Sequence, residues 1–138
     1  MQKAAIPSGE AIAKKLPEMT SAEYERLGDQ YLSQGNLDIA FIQYDKALRL
    51  DPNQVRIRYK VGRLFSEKGL HEEAIREFQE LIKIDPNYAL AYEGISQVYF
   101  NKRNLDEAEK NLRQAAKLDP NLWQVHNLLP PRVGQPAD

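Results

Sequence analysis

The sequence predicts an all-α fold, a solenoid of stacked antiparallel helix pairs, and three observations carry that prediction. The tripeptide Asp-Pro-Asn occurs as Asp51-Pro52-Asn53, Asp85-Pro86-Asn87 and Asp119-Pro120-Asn121, each copy 34 residues after the last. Between copies, apolar residues recur at helical spacing. A turn position, Gly35, Gly69 and Arg103, divides each interval into two helix-length halves. A fixed period of this kind marks a repeat array, in which each unit buries its apolar face only against its neighbours. Within the tripeptide, Pro cannot continue a helix, and its missing N–H is harmless at the start of the next. Asp supplies a side-chain acceptor for the turn and Asn tolerates the corner.

Taken in order, residues 1–19 form a leader. Ala4, Ala5, Ile6, Ala11, Ile12 and Leu16 make a weak amphipathic stretch broken by Pro7, Gly9 and Pro17. It reads either as flexible chain or as a short helix over 9–16 that covers the open edge of the first repeat. Thr20 and Glu23 form a capping box, each side chain satisfying a free N–H at the helix start. The first repeat (21–54) then has one helix over 21–34, with Tyr24, Leu27, Gly28 and Tyr31 on its buried side. Gly28 lets the partner helix come close. Gly35-Asn36 ends this helix and caps a second one, Gly taking the left-handed angle without penalty, and the second helix runs to Leu50, burying Ala40, Tyr44, Ala47 and Leu48.

The second repeat (55–88) places its helices at 54–67 and 71–84, and the third (89–122) at 88–101 and 105–118. Arg103 stands where the sister turns have Gly, and a non-Gly residue in a left-handed conformation costs on the order of 1 kcal/mol. Asn104 with Glu107 offers a compensating capping box. Leu122 to Leu129 make a short seventh helix, stopped by Pro130-Pro131, with Trp123, Val125, Leu128 and Leu129 laid over the third pair. Residues 130–138 are expected to be a disordered tail. The repeat domain thus spans 20–129 and has about seven helices.

The residues that recur are Tyr24, Leu27-Gly28, Tyr31, Ala40, Tyr44, Ala47 and Pro52; Val61-Gly62, Phe65, Ala74, Phe78 and Pro86; Tyr92, Ile95-Ser96, Tyr99, Ala108, Leu112, Ala115 and Pro120. In this pattern residues 21–122 resemble the tetratricopeptide repeat (TPR) family. Arg58 for an aromatic, Leu81 for a small residue and Ser96 for Gly are local departures. The resemblance implies a right-handed superhelix, the first (A) helix of each pair lining a concave groove and the second (B) helix lying outside. A pentatricopeptide reading, which would imply RNA, fits less well. That repeat is typically one residue longer and lacks the Asp-Pro-Asn corner.

Composition narrows the function. A net charge of −1 gives no electrostatic reason for nucleic acid or an anionic membrane. No apolar run reaches the roughly 18–20 residues of a membrane span. The absence of Cys rules out disulfides and thiol chemistry and leaves the compartment open. The cytoplasm is the default, the periplasm if an export signal has been removed. His71 and His126 lie in different repeats, and no phosphate loop, metal-spaced carboxylates or nucleophile elbow is present. The chain is therefore read as non-catalytic, without metal or cofactor.

The candidate site is the groove. Repeat geometry turns Glu25 and Asp29, then Arg56, Tyr59, Lys60 and Arg63, then Leu90, Glu93, Gln97 and Phe100 toward it. The family's carboxylate clamp, which grips the acidic C-terminal tails of heat-shock chaperones, needs Lys and Asn, then Asn, then Lys and Arg. Those positions read Glu25, Asp29, Lys60, Leu90 and Gly94, so no member matches, and the first two are acidic where the clamp needs a cation and an amide. Two readings of the charges stay open. Arg56, Arg63 and Lys60 receive an acidic group of a partner, with Tyr59 against its apolar part and Leu90 and Phe100 as an apolar pocket. Or Glu25 and Asp29 neutralise them from the neighbouring helix, as exposed pairs worth about 0–1 kcal/mol each.

A second surface is Ile39 and Ile42, one turn apart, where the sister repeats carry charges. It is read as covered by the leader or as a partner or dimer contact. The predicted function is protein–protein interaction: holding a peptide segment of a partner, as assembly or scaffold factors do, with regularity resembling bacterial examples. The alternatives are a scaffold that self-associates through its terminal helices and the targeting domain of a larger enzyme.

Overall fold

The computed structural model describes residues 19–122, which form six helices: α1 (Ser21–Ser33), α2 (Leu37–Leu50), α3 (Val55–Glu67), α4 (His71–Ile84), α5 (Ala89–Asn101) and α6 (Leu105–Leu118). The A helices begin at 21, 55 and 89 and the B helices at 37, 71 and 105, so the 34-residue register holds to the residue. The leader, the closing helix over 122–129 with Trp123 and His126, and the tail lie outside the described residues, Met19, Thr20 and Leu122 apart. Among the described residues no helix is long and apolar enough to cross a membrane.

Each A helix ends in the same turn. The Asn36 N–H donates to the Tyr31 carbonyl (2.9 Å) and the Gly35 N–H to the Leu32 carbonyl (3.0 Å), a Schellman closure. Leu70 and Gly69 repeat it on Phe65 and Ser66, and Asn104 and Arg103 on Tyr99 and Phe100. The closure requires a left-handed residue, and Gly35 (φ 79°), Gly69 (φ 75°) and Arg103 (φ 63°) supply it. Arg103 adopts the strained angle that its position demands. Asn104 caps α6 by accepting from the Glu107 N–H, without the return bond of a full box, whereas Thr20 and Glu23 make both bonds. Asn36, expected to cap α2, makes no side-chain cap bond.

The corners between pairs also repeat. The Asp51, Asp85 and Asp119 carboxylates accept the N–H of Asn53, Asn87 and Asn121 at 3.3, 3.1 and 3.0 Å. This turn chemistry is what the tripeptide predicts.

Among the described residues the core runs between the layers in two equivalent clusters and a smaller third one around Leu112 and Ala115. Ala40, Tyr44 and Ala47 of α2 pack against Ile57, Val61 and Leu64 of α3. Ala74, Phe78 and Leu81 of α4 pack against Ala91, Ile95 and Val98 of α5. The aromatic ring at the centre of each B helix determines where glycine must stand. A Cβ on Gly28 would lie 2.5 Å from the Tyr44 ring, and one on Gly62 2.6 Å from that of Phe78. The third repeat makes the exchange in both partners: Leu112 replaces the ring and Ser96 replaces the glycine. Both are buried, Ser96 donating to the Glu93 carbonyl (2.6 Å). Leu81, expected as a departure in size, is fully buried.

Candidate functional site

The solvent faces of α1, α3 and α5 lie side by side, and the two seams between them differ in chemistry. At the α1–α3 seam Glu25 is only 6% exposed. Arg56 donates to its two oxygens from Nε (2.7 Å) and Nη2 (2.6 Å), and Lys60 Nζ stands 2.7 Å from Oε2. Lys60 also reaches both oxygens of Asp29 at 3.0 Å, and Asp29 accepts from the Tyr44 hydroxyl (2.5 Å). The ammonium lies 5.9 Å from the centre of the Tyr44 ring.

Two carboxylates and two cations thus close a neutral network, within which Arg56 and Lys60 favour the ionised form of Glu25. The bidentate Arg56, with Lys60, pulls the Glu25 carboxyl down to about 2 against the opposing effect of burial. For Lys60 burial works against the charge, but its bonds to Glu25 and Asp29 prevail and its pKa is raised. Burial, and then the Asp29 carboxylate, push the Tyr44 hydroxyl up. Of the two readings, internal pairing describes Arg56 and Lys60. Arg56 nevertheless keeps a side chain 67% exposed.

The α3–α5 seam has no such network. Position 60 becomes Gly94 one repeat on, because the Phe78 ring fills the space: a Cβ on Gly94 would meet it at 2.5 Å. Across from Gly94, Tyr59 and Arg63 stand where α1 has Glu25 and Asp29. Arg63 Nη1 donates to the Tyr59 hydroxyl (3.3 Å), and among the described residues no carboxylate lies within ion-pair distance of it. The Tyr59 ring is 6.0 Å from Phe78 and 5.9 Å from Tyr88. Internal pairing therefore does not extend to Arg63.

On α5, Gln97 is exposed and donates to Asn101 (3.3 Å), Leu90 and Glu93 are half-buried, and Phe100 is 55% exposed. A small cavity of about 80 Å³ is lined by Ser96, Gln97, Phe100 and Leu112.

On the other side of the molecule Ile39 and Ile42 are 41% and 48% exposed on α2. A larger cleft, about 370 Å³, opens between α2, α3 and α4 among Phe41, Leu48, Val61 and Phe65. Arg58 borders it, donating to Glu77 (3.0 Å) and to the Pro52 carbonyl (2.8 Å). Arg58 replaces the aromatic that the sister repeats supply as Tyr24 and Tyr92, and sequence reasoning registered that departure without the cleft. It also missed the Tyr44 hydroxyl as a network member. The signal available was that the sister positions, Phe78 and Leu112, have no hydroxyl to satisfy. His71 is half-buried, its Nδ1 without a hydrogen-bond partner among the described residues. No group of metal-ligating side chains occurs among them.

A family profile described as TPR repeat matches residues 28–69 and 62–103, and one described as tetratricopeptide repeat matches 89–122. No curated protein matches the sequence significantly. Among solved structures, the fold superposes on YrrB, a TPR protein with an unusual peptide-binding site. The TM-score is 0.74 at 20% identity, over 86% of this chain and 60% of that one. The first TPR of Spaghetti (RPAP3), bound to the HSP90 peptide SRMEEVD, gives 0.74 at 21% identity over 83% of this chain and 90% of that one. MamA gives 0.69 at 25% identity over 76% and 61%. The chain thus spans about 60% of the YrrB chain and 61% of the MamA chain.

Proposed function

The chain belongs to the tetratricopeptide repeat family, an all-α solenoid of helix pairs, and on that premise we propose that it holds a peptide segment of a partner protein in the concave groove formed by α1, α3 and α5. The role is that of a non-catalytic assembly or scaffold factor. One observation carries the reading: the groove-facing surface keeps Arg63, Gln97 and Phe100 exposed, and among the described residues none of them is taken up by an ion pair or by the core. An aromatic ring left more than half in water, on the helix beside one that carries a guanidinium with no carboxylate partner among the described residues, contributes little to packing. It is suited to contact with another chain. The peptide-binding site of YrrB and the HSP90 peptide bound to the first TPR of Spaghetti support a peptide as the ligand. The chaperone-tail clamp is not the mode proposed, since Glu25 and Asp29 stand at its basic and amide positions and are themselves occupied by Arg56 and Lys60.

The test is a pull-down from the source cells with the full chain, beside Arg63→Glu/Phe100→Asp and beside Ile39→Asp/Ile42→Asp. A partner held by wild type and lost only from the groove variant is the expected result. A partner lost only from the α2 variant would move the site to the outer face and overturn the reading.

A further inference from the structure

From the contrast between the two seams we infer that the ligand-reading part of the groove is the α3–α5 seam, and that it takes a peptide with one acidic side chain and one large apolar side chain about three residues apart. The inference rests on the groove reading above and adds the chemistry of the ligand.

The α1–α3 seam has little left to offer. Each oxygen of Glu25 and Asp29 is engaged by Arg56, Lys60 or Tyr44, and the charges sum to zero. A ligand acid binding there would have to break a bidentate pair whose carboxylate is buried, and removing one partner of such a pair is costly. At the α3–α5 seam, Gly94 leaves α5 without a side chain opposite Arg63. The fixed fork of Arg63 has one neutral acceptor, the Tyr59 hydroxyl, and neither Glu67 nor Glu93 comes within ion-pair distance. A guanidinium with spare donors beside an aromatic hydroxyl, with the Gln97 amide at the equivalent position of the next helix, suits a carboxylate.

The spacing follows from the fold. Gln97 is the repeat equivalent of Arg63, and Phe100 lies one turn further along α5, a rise of roughly 4.5 Å. Neighbouring helix axes stand roughly 8–10 Å apart. The path from Arg63 to Phe100 is therefore on the order of 10 Å, which an extended chain spans in about three residues. Glu93 sets the limit on charge. It lies one turn before Gln97, half-buried and without a cation partner among the described residues, so a second acid placed along the groove meets repulsion. The seam selects a single acid, in contrast to an acidic tail.

The experiment uses the labelled full chain on an array of short peptides capped at both ends. The peptides carry one Asp or Glu and one Leu or Phe at systematically varied separation, with acidic runs and uncapped C-termini as further sets. Binding is expected to peak for one acid and one apolar residue about three apart. It should fall at least about tenfold in Arg63→Gln, as loss of a charge-assisted bond of about 1.5–3 kcal/mol requires, and stay unchanged in Arg76→Gln on α4. Peptides that bind Arg63→Gln as well as wild type but not Phe100→Asp would sink the carboxylate inference and leave the groove reading standing. Peptides bound equally by both groove variants would sink both. Preference for acidic runs, preference for a free C-terminus, or no binding by the single-acid set would each overturn the inference.

Discussion

Glu25 is a carboxylate that the fold has taken out of solvent and given two cations in exchange. Arg56 and Lys60 favour its ionised form against the effect of burial, so its contribution to stability depends on pH. Its pKa falls from an ordinary 4.5 to about 2 on folding. A depressed carboxylate stabilises the fold fully above the unfolded value. That stability is lost as pH falls from about 4.5 through about 2, where the folded state also takes up the proton. The contribution at neutral pH is on the order of 2–3 kcal/mol. Glu25→Gln should therefore lower stability by up to this amount near neutrality in urea titrations. It should also flatten the loss of stability that wild type shows between about pH 4.5 and about pH 2. Equal acid sensitivity in the two proteins would mean that the network does not hold the charge. The pairing itself was half legible in sequence. The 34-residue register brings Glu25 beside residues 31 and 35 positions later, which are Arg56 and Lys60. The repeat period could not show that Arg63, in the same stripe of positive charge, is left out, because that depends on what faces it from α5, and there Gly94 offers nothing.

At the scale of the helix pair, the crossing distance is set by a ring and a missing side chain. Gly62 sits under Phe78 so closely that even a methyl group would lie 2.6–2.8 Å from ring carbons. The same ring is fully buried, with Gly94 against its other side, and has nowhere to retreat. Gly62→Leu should destabilise by roughly 1–3 kcal/mol or more through overpacking, and Gly62→Ala by a smaller amount of the same sign, although Ala is the better helix former. Combining Gly62→Ser with Phe78→Leu copies the solution of the third repeat, Ser96 over Leu112, and should recover part of the loss. Chemical denaturation of the four proteins checks this, and equal midpoints for Gly62→Leu and wild type would contradict the pairing of α3 with α4. Helix ends and these glycines were readable in advance because each is dictated by local chemistry: an Asx turn, a left-handed turn residue, a ring opposite Gly. The cleft beside Arg58 was not, since whether Arg in place of Tyr fills or opens a space depends on Glu77, 19 residues away on another helix.

At the scale of the molecule, an array of repeats has two ends, and each must avoid adding another unit. Ile57, Val61 and Leu64 of α3, like Ala91, Ile95 and Val98 of α5, receive the preceding helix pair. The same register on α1 reads Glu23, Leu27 and Gln30, with Glu23 and Gln30 exposed and Glu23 engaged in the capping box. The leading face of the first repeat is thus polar at two of the three positions that would accept a neighbour, and it has less need of cover than an apolar edge. Burying Glu23 and Gln30 against apolar side chains of a second copy would leave a charge and an amide unsatisfied. This weighs against end-to-end self-association and in favour of a protein that meets its partners through the groove. The corresponding prediction restores what the face lacks. Glu23→Ile/Gln30→Leu reproduces the residues of α3 and should convert a monomer into species that grow with concentration, read by sedimentation velocity. Wild type already forming such oligomers would favour the scaffold reading. A double variant that remains monomeric at every concentration would show that these positions do not govern stacking, and that the ends of the array are protected elsewhere.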